Sequence, residues 1–239
     1  MSSLANTIGI KFFLELSKLF NYFQIPIIGF KLAEHSTFLS VHDSYFFRKI
    51  IHQYLLLAWT IKGKSIPPPH PAKVRIVKEF QRRFNLHCFI ETGTYMGDMV
   101  YAIKNSFKKI YSIELSHDLY YKAKKRFSNF PHISLIHGDS GKELPKILDL
   151  ISEPTLFWLD GHYSAGITAR GDLETPILSE LLAICHHSIK NHVILIDDAR
   201  CFNGEKDYPF LDELFQMLKK INSDYRIKVR NDIIQAYLP

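Results

Sequence analysis

A doubly wound α/β domain, its mostly parallel sheet ending in an antiparallel hairpin and preceded by a helical extension, is the architecture this sequence predicts. Three observations predict it. From Ala72 onward short apolar, strand-like runs alternate with helical segments; the last two strand candidates have no helix between them; and residues 1–65 show no strand alternation. Alternating strands and helices argue for parallel strands with helices packed on both faces. The length agrees, since 239 residues make one full α/β domain and a modest extension.

The extension comes first. Ile8, Phe12, Leu16, Leu19, Phe20 and Phe23 recur at helical spacing opposite Lys11, Glu15 and Lys18, and Pro26 ends that helix. A second helix is predicted over Tyr45–Ile61. Gly63–Pro71 (GKSIPPPHP) breaks helix and reads as a stiff connector. Residues 1–71 are therefore the extension with its connector, and residues 72–239 the α/β domain.

Strands are predicted at Cys88–Glu91, Lys109–Leu115, Ile133–His137, Thr155–Leu159 and His192–Ile196. Helices fall between and after them at Asp98–Phe107, Asp118–Phe130, Glu143–Ile151, Ile177–Ser188 and Phe210–Ile221. Tyr225–Val229 and Ile233–Leu238 are two further strands joined by Asn231-Asp232, a turn-type pair, so they must run antiparallel. The sum is a Rossmann-like, seven-stranded sheet with a C-terminal hairpin.

Composition narrows the function. Lys and Arg give a net charge of +6 but are dispersed on polar helix faces, as at Lys122, Lys124, Lys125 and Arg126. With no arginine-rich tract or aromatic-interleaved basic ribbon, nucleic acid is not an expected partner. Cys88, Cys185 and Cys201 are too scattered for a disulfide framework or zinc cage and suit a reducing compartment. The start lacks the features of a secretory signal, and Lys11, Glu15, Lys18 and Pro26 interrupt its apolar stretch. A cytoplasmic protein is expected.

The donor site is read from the first strand. Phe89-Ile90-Glu91-Thr92-Gly93-Thr94-Tyr95-Met96-Gly97 follows a strand and opens a helix; Gly93 lets the backbone turn tightly and approach a ligand. Seventeen residues after Gly97, at the end of the next strand, Glu114 is placed to accept from both ribose hydroxyls of a nucleoside. A dinucleotide site wants a middle glycine where Tyr95 stands, and Glu91 would repel a pyrophosphate. S-adenosylmethionine has no phosphate, and Glu91 can support its cationic end. Asp139, with Ser140 beside it at the end of the third strand, can accept from the adenine amino group.

The acceptor side is read from the fourth and fifth strands. These end in Leu159-Asp160-Gly161-His162 and Ile196-Asp197-Asp198. Strand ends of an open α/β sheet face the ligand crevice, so the three aspartates are expected to converge there. Packed carboxylates repel unless a hard cation neutralises them, and Mg2+ would do so while activating an acceptor hydroxyl. His162, with an ordinary pKa of about 6.5, suits a general base.

The runs ETGTYMGD, IEL, GDS, LDGH and ILIDDAR resemble the macrocin-type, metal-dependent sugar O-methyltransferases of the class I S-adenosylmethionine-dependent superfamily. The resemblance covers about residues 85–200. It implies Asp160, Asp197 and Asp198 on the ion, His162 as base, a small-molecule or glycan acceptor, and a homodimer formed through the extension. The loop Tyr163–Thr175 departs from that family; its small residues suit a flap over the acceptor, with Arg170 placed to pair an anionic substrate. Residues 1–65 have no family counterpart. They hold seven Lys or Arg against three Asp or Glu, and such an amphipathic segment suits an anionic membrane surface or burial against protein. Two other classes stay open: a non-catalytic peripheral membrane or assembly protein, and another metal-assisted reaction such as hydroxylation.

Overall fold

The computed structural model describes residues 45–161 and 175–239, with side chains from residue 50 onward. The amphipathic segment Ile8–Phe23, His162, Arg170 and Asp172 lie outside the described residues. The chain divides into two compact units, residues 1–63 with 69–71, and residues 64–68 with 72–239. In the first, α1 (Tyr45–Ile61) has the predicted bounds, and near its end the Thr60 hydroxyl donates to the Leu56 carbonyl at 2.8 Å. Among the described residues no helix is long and apolar enough to cross a membrane.

After α1 the chain runs α2 (His70–Arg83), which belongs to the second unit from Ala72 onward, then β1 (Cys88–Thr92), α3 (Asp98–Ile103), β2 (Lys109–Glu114), α4 (His117–Arg126), β3 (Ile133–His137), α5 (Ser140–Leu148) and β4 (Thr155–Leu159). It continues with α6 (Ile177–His186), β5 (Val193–Ile196), a 3-10 turn at Ala199–Cys201, α7 (Leu211–Ile221), β6 (Arg226–Arg230) and β7 (Ile233–Tyr237). The sheet order is β3-β2-β1-β4-β5-β7-β6. All pairs are parallel except β5–β7 and β6–β7. This is the Rossmann-like sheet with a C-terminal antiparallel hairpin that the sequence predicts. Asn231 and Asp232 both take positive φ, 53° and 61°, which gives the turn a twist matching that of the strands it joins.

Alternation along the strands splits the core in two. Phe89, Leu156, Trp158, Val193, Leu195 and Ile233 face one side with Val74, Val77 and Phe80 of α2 and Val100 and Ile103 of α3. Ile90, Phe157, Leu159, Ile194, Ile196 and Ile234 face the other with Leu144, Leu181, Ile184, Leu214 and Leu218 of α5, α6 and α7. A period of two along each strand sends neighbouring residues to opposite faces. Both faces are buried, so the strands read as continuous apolar runs.

Helix α2 is the element the sequence reading lacks. Val74, Val77 and Phe80 recur one turn apart, but Lys73, Arg75, Lys78, Glu79, Arg82 and Arg83 dilute that stripe. Pro71 sits in the first turn, where its missing N–H leaves no hydrogen bond unmade. Two helix starts also differ by a few residues. Ser116 caps α4 by accepting from the Leu119 N–H, so α4 begins at His117. Asp139 accepts from the Gly141 N–H at 2.9 Å, so α5 begins at Ser140 instead of Glu143.

Candidate active site

Successive strands add outward in one direction from β1 to β3 and in the other from β4 to β5. The tips of β1 and β4 therefore flank the point where an open α/β sheet forms its ligand crevice. After β1 the chain turns at Gly93, with φ +84°; a Cβ there would lie 2.5 Å from the Asp160 carbonyl oxygen. The glycine first admits the backbone of the β4 turn, a chain-to-chain approach where a chain-to-ligand one was expected. Gly97, φ +75°, opens α3 with the Phe127 ring against it.

Tyr95 adopts φ 49°, and its N–H donates to Glu114 at 2.7 Å; the other Glu114 oxygen takes the Ser116 N–H at 2.8 Å. Each carboxylate oxygen accepts two hydrogen bonds, so Glu114 shapes the donor loop and keeps capacity for a ribose hydroxyl. Glu91 is buried and accepts from the Ser112 hydroxyl at 2.6 Å, and Ser112 in turn lies 2.6 Å from the Thr94 hydroxyl. Burial lifts the Glu91 carboxyl well above the usual range; Ser112 opposes the rise, and Asp160, Glu114 and Asp98 add to it.

Thr92 and Ser140 meet through a residue absent from the sequence reading. Glu180, on α6, is buried; Ser140 donates to it at 2.5 Å, and Thr92 also bonds it. The Thr92 hydroxyl oxygen accepts from the Asp160 N–H at 3.2 Å. One carboxylate thus ties the tips of β1, β3 and β4. Burial raises Glu180 to about 7, with Ser140 and Thr92 opposing. Its signal in the sequence is position: Glu180 lies on the same apolar face as Ile177, Leu181 and Ile184. Asp139, expected at adenine, spends one oxygen on the α5 cap.

Asp160, Asp197 and Asp198 stand at the ends of β4 and β5 and line one pocket with Gly161, Glu180, Phe202 and Tyr208. Among the described residues no three His, Cys, Asp or Glu side chains gather closely enough to hold the expected Mg2+. Positive charge already stands beside the three aspartates. Lys73 of α2 hydrogen-bonds Asp197 and lies 3.9 Å from Asp198; Arg200 bonds Asp198 at 2.8 Å and also Asp232. Burial by itself would lower the Lys73 pKa, but Asp197, Asp160 and Asp198 together raise it. Burial, then Asp160, push Asp197 up to about 7 against the pull of Lys73. Asp198 holds φ 53° and donates its N–H to Asp197 at 2.9 Å.

No family model matches the chain. No curated protein matches it either. Among solved structures the chain is similar to the SAH-bound methyltransferase PaMTH1 of Podospora anserina, at 16% identity and TM-score 0.48 over 77% of this chain and 87% of that one. It is also similar to the O-methyltransferase TomG of Streptomyces achromogenes, solved with SAM, at 12% identity and TM-score 0.49 over 78% and 88%. The SAH-bound O-methyltransferase of Bacillus cereus aligns at 13% identity and TM-score 0.47 over 79% and 90%. None of these likenesses decides the chemistry, which rests on this chain's own residues.

Proposed function

We propose that the chain is an S-adenosylmethionine-dependent methyltransferase acting on a hydroxyl of a small-molecule or glycan acceptor, a sugar hydroxyl being the favoured target. One observation carries this reading. The tips of adjacent strands β1, β2 and β4 bring together the carboxyl groups of Glu91, Glu114 and Asp160, while Asp98 close by is paired with Arg126. Such a site disfavours a pyrophosphate and favours a cation. Glu114, at the tip of β2, keeps lone pairs for the ribose, and Tyr95 stands where a dinucleotide site wants glycine.

Transfer breaks the donor's carbon–sulfur bond and forms an oxygen–carbon bond to the acceptor, whose hydroxyl proton leaves to a base. The sequence nominates His162 for that proton, the residue following Gly161. Glu180 is the second candidate: it lines the acceptor pocket and is raised to about 7, where a carboxylate takes a proton at neutral pH. No step is assigned to Mg2+, because Lys73 and Arg200 already pair two of the expected ligands, Asp197 and Asp198.

Calorimetry and thermal melting of the full chain with S-adenosylmethionine and with its demethylated product test the donor assignment. Saturable heat and an upward melting shift are expected with both. No heat and no shift with either ligand would overturn it. A one-methyl mass gain on a hydroxylated acceptor, lost in His162→Ala or Glu180→Gln, then identifies the base.

A further inference from the structure

Three carboxylates at two strand ends act on one ammonium. Lys73 leaves α2, hydrogen-bonds Asp197, lies 3.9 Å from Asp198 and feels Asp160 as well. The Lys73 side chain is 19% exposed and that of Asp197 is 0% exposed, so the pair is held mostly away from water. Desolvating both partners is unfavourable, and either one left alone there would be worse. A divalent ion on these aspartates needs their oxygens at about 2.0–2.6 Å. It would have to take Asp197 from Lys73, and two positive centres in one poorly solvated cluster repel.

We propose that Lys73 is the built-in cation of the acceptor site, supplying, with Arg200 on Asp198, the positive charge that Asp160, Asp197 and Asp198 require, so that the site works without a divalent ion. Lys73 is a positioning residue that acts through Asp197 and Asp198, the carboxylates on the pocket wall. The substrate consequence follows from coordination. An ion bridges two adjacent oxygens, whereas a site without one accepts a lone hydroxyl as readily as a vicinal diol. Only the word "acceptor" depends on the methyltransferase reading; the charge assignment does not.

The test titrates the full chain with Mn2+ alone and follows free Mn2+ by electron paramagnetic resonance. The wild type and Lys73→Arg are expected to take up none. Lys73→Met and Lys73→Gln are expected to gain one Mn2+ per chain, and Asp197→Asn added to either to abolish that gain. One Mn2+ per wild-type chain, lost in Asp197→Asn, overturns the proposal. So does a Lys73→Met or Lys73→Gln protein that melts cooperatively yet takes up no ion. If both neutral variants fail to melt cooperatively, uptake by the wild type or Lys73→Arg overturns the proposal and its absence in both supports it. Calorimetry with S-adenosylmethionine on the same samples separates the two readings: loss of donor binding there sinks the methyltransferase and leaves the cation assignment standing.

Discussion

The two ends of the sheet bury polar groups in opposite ways. At the amino ends of β4 and β5 the Thr155 N–H donates to His192 Nδ1 at 3.1 Å. His192 and His187 then share a hydrogen bond of 2.9 Å, and His187 Nε2 reaches the Ile151 carbonyl at 3.2 Å. The direction is set by the first donor. His192 Nδ1 must accept, so its proton lies on Nε2 and is donated to His187, which donates onward to Ile151. Burial first, with Lys190 close by, pushes His192 down to about 3, so the ring is neutral. Every group in this chain has a partner of matching polarity.

At the carboxyl ends the groups are acids, and they crowd. Glu91, Glu180 and Asp197 all have raised pKa values, and in each case burial is the first cause. The histidine relay is paired throughout, whereas the carboxyl ends hold crowded acids whose ionisation burial opposes. Perturbed acids at the strand ends of an open α/β sheet make that edge the candidate ligand site. The difference teaches that burial alone does not reveal a site; unresolved charge does.

The comparison is broken most severely at Gly93. Gly93→Ala forces a side chain into a left-handed turn and against the Asp160 carbonyl. We expect a loss of about 2–5 kcal/mol in denaturant unfolding, with donor binding abolished. At the opposite end, His192→Ala leaves the Thr155 N–H unpaired and opens a hole beneath Phe157. A loss of about 2–4 kcal/mol is expected, with donor affinity unchanged in calorimetry. Weakened donor binding in His192→Ala would show that the two ends are not independent.

The ends also differ in the sign of their pH dependence. His192 has a folded pKa of about 3 against an ordinary 6.5, so the unfolded chain binds the extra proton in that window. Its contribution is present above pH 6.5 and is lost as pH falls toward 3. Glu180 has a folded pKa of about 7 against 4.5, so the folded chain binds the proton; stability falls as pH rises from 4.5 to 7. Glu180→Gln should match the wild type near pH 4.5 and outgain it by at most about 1.4 kcal/mol per pH unit up to pH 7. A parallel pair of stability curves would refute the Glu180 assignment.

The smallest effect sharpens the donor site. Burial opposes ionisation of Glu91 and a cation beside it favours ionisation, so S-adenosylmethionine binding should release a proton. The observed heat will then vary with the ionisation enthalpy of the buffer, and Glu91→Gln should abolish that variation while weakening binding about tenfold. Buffer-independent heat in the wild type would remove Glu91 from the cationic end of the donor.

Most of the scaffold was legible because its signals are local. Ile133–His137 and Thr155–Leu159 are strands as read, since each is a short apolar run bounded by turn residues. Asn231-Asp232 announced the hairpin because few residue types accept consecutive positive φ. Glu114, Asp160 and Asp197 lie at strand tips for the same reason: once the strands are placed, their ends are placed. Helix α2 escaped because its apolar stripe is narrow among basic residues, and Lys73 escaped with it. Glu180 escaped as a carboxylate on an apolar helix face far in sequence from Ser140 and Thr92.

By itself, then, the sequence determined the alternation of elements, the parallel sheet with its terminal hairpin, and the list of acids at its carboxyl edge. Those follow from hydrophobic periodicity and turn chemistry, which act over a few residues. Only the tertiary structure decided what the acids face. A carboxylate in a sequence carries no record of its counter-ion, because Lys73 reaches Asp197 across 124 positions of chain. Coulomb interactions depend on distance in space, and folding alone sets that distance.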